Sequence, residues 1–86
     1  MSWDFQLAKA AERALRSLPE KDKARINRAL NELKANPFSG DVISLKGEYK
    51  GLLRRRVGSW RIIFAVNPEQ RVILVGDIVR RTSSTY

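Results

Sequence analysis

Between Lys50 and Arg61 the chain carries five basic residues and no acid: Lys50, Arg54, Arg55, Arg56 and Arg61. In an extended strand, alternation places Arg54 and Arg56 on one face, and Arg55 on the other with Leu53 and Val57. Gly58-Ser59 is a two-residue turn of the kind that favours glycine. Arg61 therefore starts the partner strand, where cross-strand neighbours lie within about 5.5 Å of each other. Three guanidiniums so close repel one another unless an anion lies between them. Phosphate fits, because arginine offers a planar, bidentate donor fork. The bland alternative pairs Arg54 or Arg56 with carboxylates such as Glu48 or Asp77. Four acids in residues 41–86 cannot neutralise nine bases, which favours an external anion.

The charge of the whole chain points the same way. Seventeen Lys and Arg against nine Asp and Glu give +8 on 86 residues, and the pI is near 10.6. That is the electrostatic footprint of a polyanion binder; a solvated surface or an acidic protein partner are the competing readings. There is no histidine, so His-based ribonuclease chemistry, a Ser-His-Asp triad and His metal sites are excluded. No cysteine is present, which excludes disulfides and thiolate chemistry and fits a reducing cytosol. No acidic cluster suggests a metal site, so neither metal nor cofactor is expected. A hydrolase here works with Arg, Lys, Tyr, Ser and a few carboxylates. No apolar run reaches membrane-spanning length, and no signal peptide is expected.

Other residues carry weaker signals. Asp77 is expected to pair with Arg61 or Arg80 rather than act as a base. Tyr49 and Trp60 are of a type that stacks on bases. Trp60, however, shares its face with Ile62 and Phe64, and core packing is the simpler reading, as it is for Trp3. Tyr86 follows the polar stretch Thr82-Ser83-Ser84-Thr85. Beside Arg80 and Arg81 it either folds back over the arginine face or frays.

The elements that position these groups are legible in the periodicities. Ser2 to Leu7 alternates Trp3, Phe5 and Leu7 against polar residues, a half-buried strand. Ala11, Ala14, Leu15 and Leu18 fall at helical spacing, and Pro19 both stops this helix and suits the start of the next. Ile26, Ala29, Leu30 and Leu33 form the second apolar stripe, ended by Asn36-Pro37. Phe38 to Gly51 is expected to be irregular, with Leu45 anchored in the core. Leu52–Val57, Trp60–Val66 and Arg71–Val79 are three strands, the last two joined by a turn at Asn67-Pro68-Glu69-Gln70. The expected fold is α+β with order β-α-α-β-β-β. An antiparallel sheet of about four strands carries the helical hairpin on one face, in a single domain over residues 1–86.

In this order the chain resembles the RelE/ParE toxin superfamily over nearly its whole length. The resemblance rests on Leu15-x-x-Leu18-Pro19, Asn36-Pro37, Leu45-Lys46-Gly47, Arg54-Arg55-Arg56-Val57-Gly58-Ser59-Trp60-Arg61-Ile62-Ile63-Phe64, Ile78-Val79-Arg80-Arg81 and Tyr86. Each piece is weak and the ordered set is fairly specific. The resemblance implies a toxin of a type II toxin–antitoxin pair, of the RelE type. Such a toxin enters the ribosomal A site and cuts messenger RNA without metal, by attack of the ribose 2′-hydroxyl on the phosphodiester. Carried over, Arg61 holds the phosphate, Arg54 and Arg56 position it, Arg80 or Arg81 adds a contact, and Tyr86 stacks or assists proton transfer. The catalytic set is then Arg54, Arg56, Arg61, Arg81 and Tyr86, with Lys46, Lys50, Arg55 and Arg80 contacting RNA or ribosome. Some RelE members place acid–base lysines where this chain has Leu52 and Arg54. Arginine, with a pKa above about 12, is a poor base, which leaves Lys46 or Lys50 for that role. The implied partners are a cognate antitoxin, the ribosome and messenger RNA. Membrane contact is not expected, DNA is met only through the antitoxin complex, and the location is cytoplasmic. The runner-up is a ParE-type inhibitor of DNA gyrase, or an inactive member that binds RNA or antitoxin.

Overall fold

The computed structural model describes residues 3–47 and 51–80. Strand β1 (Asp4–Leu7) leads into helices α1 (Lys9–Ser17) and α2 (Glu20–Ala35). Strands β2 (Val42–Ser44), β3 (Leu53–Val57), β4 (Trp60–Asn67) and β5 (Val72–Arg80) follow. They form one five-stranded sheet in the order β1-β5-β4-β3-β2. The α+β class and the helical pair on one face are as the periodicities imply.

Two details differ from the sequence expectation. First, β1 pairs with β5 in parallel, Asp4 opposite Val72 and Leu7 opposite Val75, so the sheet is mixed. The helical pair carries the chain from the β1 edge to the β2 edge, and the β2–β5 meander returns it beside β1, a long connection of the kind that parallel neighbours require. Second, part of the stretch expected to be irregular forms β2, which pairs antiparallel with β3 through Val42–Arg55, Ile43–Arg54 and Ser44–Leu53. Three residues are too few to show alternation against the surrounding glycines.

The helix boundaries follow local chemistry. The N–H of Leu18 bonds the carbonyl of Leu15 at 3.4 Å, and Pro19 N-caps α2, its carbonyl accepting from Lys23 N–H at 2.8 Å. At the far end the Asn36 side chain accepts the Phe38 N–H at 3.0 Å, turning the chain out of the helix at Asn36-Pro37. The core lies between helices and sheet. Ala11 and Leu18 meet Ile26, Ala29, Leu30 and Leu33, and these pack on Ile62, Phe64, Ile73, Val75 and Ile78. Trp3, Phe5, Leu7, Leu53, Val57 and Trp60 close its edges. No helix among the described residues is long and apolar enough to cross a membrane.

A bulge decides which β5 side chains face where. Ile63 pairs with Asp77 while Phe64 pairs with Val75, leaving Gly76 as the extra residue. Ile73 and Val75 face the helices; if Gly76 took a regular place in the ladder, alternation would send Asp77 inward and Ile78 outward. The extra residue reverses this. Ile78 is buried in the core, and Asp77 and Val79 share the helix-free face with Ile63 and Arg61.

Candidate functional site

The central hairpin β3–β4 turns at Gly58-Ser59, and Gly58 takes φ +57, a left-handed conformation that glycine adopts without strain. The register is set by the apolar residues of β4. Ile62 and Phe64 are fully buried against the helices, so Arg61 and Ile63 project to the helix-free face. Across the ladder Arg56 stands directly opposite Arg61, and Arg54 opposite Ile63. The three arginines singled out by alternation therefore share one face. Their exposures differ. Arg54 is buried at 6%, whereas the Arg56 side chain is 40% exposed.

A carboxylate that sequence reasoning missed stands among them. Asp41 Oδ1 lies 3.5 Å from Arg54 Nη1, and its Oδ2 lies 3.6 Å from Arg56 Nε. The same residue is held through its backbone: its carbonyl accepts the Arg56 N–H at 3.0 Å and Arg54 Nη1 at 3.5 Å. Asp41 immediately precedes β2, one ladder step beyond the Val42–Arg55 pair, and so falls beside Arg56. Reading Val42-Ile43-Ser44 as a strand would have found it. The ion pairs proposed from sequence for Arg54 and Arg56 named Glu48 and Asp77. Glu48 lies outside the described residues, and Asp77 accepts the Ile78 N–H at 2.8 Å.

Arg55 projects the other way, as alternation requires, and grips the chain that carries Asp41. Its Nη2 meets Glu32 Oε1 on α2 at 2.6 Å, and its Nη1 donates to the Ser39 carbonyl at 3.1 Å. Gly40 packs against this guanidinium so closely that a Cβ there would lie 2.5 Å from Arg55 Cζ. Gly40 also takes φ +75. The structure thus places Arg55 on the helix side, with its side chain 11% exposed, and not beside Arg54, Arg56 and Arg61.

Arg80 is also on the helix side. It pairs with Trp60 across β4–β5, and its guanidinium lies 5.3 Å from the Trp60 ring centroid. The Gly76 bulge puts it there. Trp60 itself packs against the core, in line with the core reading. Lys46 is exposed and lies just past the Leu45–Leu52 hydrogen bond, at the end of the hairpin away from the Arg56–Arg61 pair. Lys50, Arg81 and Tyr86, named as candidates from sequence, lie outside the described residues, as does Tyr49. Arg25 of α2 was not singled out, yet its Nη1 would lie 3.1 Å from a Cβ at Gly58, placing a further cation at the hairpin tip.

A helical pair on one side of a mixed five-stranded sheet, with Arg54, Arg56 and Arg61 on the other side, is the arrangement in which this chain resembles the RelE/ParE class of small toxins. The family model for the ParE toxin of type II toxin–antitoxin systems matches residues 5–84, and the chain belongs to that family. Among solved structures, it is similar to a chain of the archaeal RelE–RelB complex from Pyrococcus horikoshii OT3. The identity is 30%, the match covers 98% of this chain and all of that one, and the TM-score is 0.81. A chain of the toxin–antitoxin complex RelBE2 from Mycobacterium tuberculosis matches with a TM-score of 0.84 and 21% identity. That match covers 94% of this chain and all of the other. The isolated RelE toxin of E. coli matches at 0.79 and 16% identity, over 98% of this chain and 89% of that one. No curated protein sequence matches the chain.

Proposed function

We propose that this toxin is a metal-independent, ribosome-dependent endoribonuclease that cuts messenger RNA in the A site. The observation that carries the reading is the Arg56–Arg61 cross-strand pair, with Arg54 beside it on the same face. Phosphoryl transfer through 2′-hydroxyl attack adds negative charge to the phosphate oxygens, and fixed cations aimed at them lower the barrier. The 2′-oxygen forms a bond to phosphorus as the bond to the 5′-oxygen breaks. The hydroxyl proton leaves to a base, and the departing 5′-oxygen takes up a proton. A 2′,3′-cyclic phosphate and a 5′-hydroxyl result. Arg61 and Arg56 hold the phosphate. Arg54 supports them from its buried position, Arg81 adds a contact, and Tyr86 stacks on a base or assists proton transfer. Lys46 and Lys50 remain the candidates for the RNA or ribosome contact, and Lys50 for the proton-transfer role, since Lys46 lies at the far end of the hairpin. Arg55 and Arg80 support the hairpin from its helix side.

The proposed partner that restrains the toxin is a cognate antitoxin, acidic where it covers the arginine face. Two of the similar chains above come from a toxin–antitoxin complex and a RelE–RelB complex. The proposed site of action is the cytoplasm, and DNA is met only through the antitoxin complex. A second reading is a ParE-type inhibitor of DNA gyrase, and the match to the ParE toxin family model supports the ParE side of it.

One experiment separates the two. Cut sites are mapped on a translated messenger in a cell-free system containing the purified protein, with plasmid supercoiling followed in parallel. Cleavage that requires ribosomes supports the endoribonuclease. Intact messenger with failing supercoiling selects the gyrase reading, and absence of both selects an inactive member.

A further inference from the structure

We propose that the carboxylate of Asp41 occupies the seat of a substrate phosphate on Arg56, and that RNA must displace it, so that Asp41 sets the affinity and salt dependence of the site. This rests on the RNA reading above.

The geometry carries it. Asp41 offers one oxygen to Arg54 and the other to Arg56, at 3.5 and 3.6 Å. Two oxygens spread over two guanidiniums is how the non-bridging oxygens of a phosphodiester would be held there. Both distances exceed the roughly 2.7–2.9 Å of a tight charge-assisted hydrogen bond, so the carboxylate is loosely seated. The Asp41 side chain is 50% exposed and that of Arg56 40%, so water and ligand reach this side of the pair.

The backbone of Asp41 is held far more firmly than its side chain. Its carbonyl accepts the Arg56 N–H at 3.0 Å. The preceding residues are clamped from the opposite face of β3 through Ser39 and the 2.6 Å Arg55–Glu32 pair. Displacement therefore needs only a rotation of the Asp41 side chain. The two cations behave differently when that happens. Arg54 is buried and keeps the Asp41 carbonyl as an acceptor at 3.5 Å, whereas Arg56 is left open to the incoming phosphate.

The test compares the purified wild-type protein with Asp41→Asn, which keeps the shape and loses the charge. A short single-stranded RNA is titrated by fluorescence anisotropy at several salt concentrations. Asp41→Asn is expected to bind about two- to fivefold tighter, the scale of one exposed ion pair. The plot of log affinity against log salt is expected to steepen by about 0.7, one more cation being free to meet phosphate. In the Arg56→Ala background the gain is expected to vanish. A purely structural Asp41 predicts weaker binding by Asp41→Asn, and equal or weaker binding overturns the proposal. If Asp41→Asn does not fold by circular dichroism, the wild type decides. The Asp41 carboxyl carbon and the Arg56 Nε resonances must then shift together on adding RNA, and an unmoved carboxyl carbon overturns the proposal. If wild type binds no RNA, the RNA reading fails and inorganic phosphate becomes the probe. Identical phosphate affinity of the two proteins then overturns the Asp41 proposal on its own.

Discussion

At the scale of single residues, β3 uses its arginines for two opposite purposes. Arg54 and Arg56 meet Asp41 on the helix-free face, while Arg55 ties α2 to residues 39–40 on the other. Substitutions on the two faces should separate cleanly. Arg61→Ala is expected to lower messenger cleavage about 100- to 1,000-fold, the usual cost of removing one donor to a developing oxyanion. Its thermal unfolding midpoint should stay within a few degrees of wild type. Undiminished cleavage in the cell-free assay would remove Arg61 from the site. Gly40→Ala is expected to act on stability first. Its φ of +75 costs an L-residue about 1–2 kcal/mol, and its new Cβ collides with the Arg55 guanidinium. Urea unfolding should show a loss of at least about 1 kcal/mol.

At the scale of elements, the Gly76 bulge is the device that composes the site. It brings Asp77 and Val79 to the helix-free face and sends Arg80 over Trp60. Deleting Gly76 removes the bulge and makes Asp77 follow Val75 directly, so Asp77 stays opposite Ile63 on the helix-free face and Ile78 stays in the core. The deletion variant is therefore expected to fold, by circular dichroism and by solubility, with its change confined to the local twist of β4–β5. Gly76→Ala keeps the residue count, and its Cβ would meet only the Ile63 carbonyl oxygen at 3.7 Å, an ordinary contact. It is expected to be neutral, or stabilising by up to about 1 kcal/mol through the unfolded chain. Helix α1 has its own signature. Ala11 is its one buried residue among those described, at 0% exposure, and α1 rests on β5. Ala11→Leu overpacks this contact and is expected to cost about 1–3 kcal/mol, read from the denaturation midpoint at unchanged slope.

At the scale of the whole molecule, charge dominates. A net +8 sits on a body of about 34 × 29 × 24 Å. Self-repulsion of this kind destabilises the compact state and at the same time draws polyanions. Adding salt should therefore move two observables in opposite directions. The unfolding temperature of the free protein is expected to rise. The affinity for single-stranded RNA is expected to fall, with a log–log slope of about −0.7 for each phosphate neutralised. A flat salt response would mean that the arginine face does not meet phosphate.

Much of this protein was decided within short stretches of chain. Period-two and helical spacing, the stop at Pro19 and the Gly58-Ser59 turn depend on residues a few positions apart. They were enough to set the element order and to divide Arg54 and Arg56 from Arg55. Even Arg61 opposite Arg56 follows from a two-residue turn. What local spacing does not hold is any contact between distant segments. Glu32 meets Arg55 across 23 positions, and Asp41 reaches Arg54 and Arg56 only because β2 joins the sheet edge beside β3. The parallel seat of β1 against β5 was likewise settled by packing of the helical pair. Arg80 shows the division most clearly. The resemblance marked it for an RNA contact, and one extra residue at Gly76 sets the face of every β5 side chain beyond it. A bulge is a property of register between two strands, and register is settled only when both strands and the core beneath them are in place.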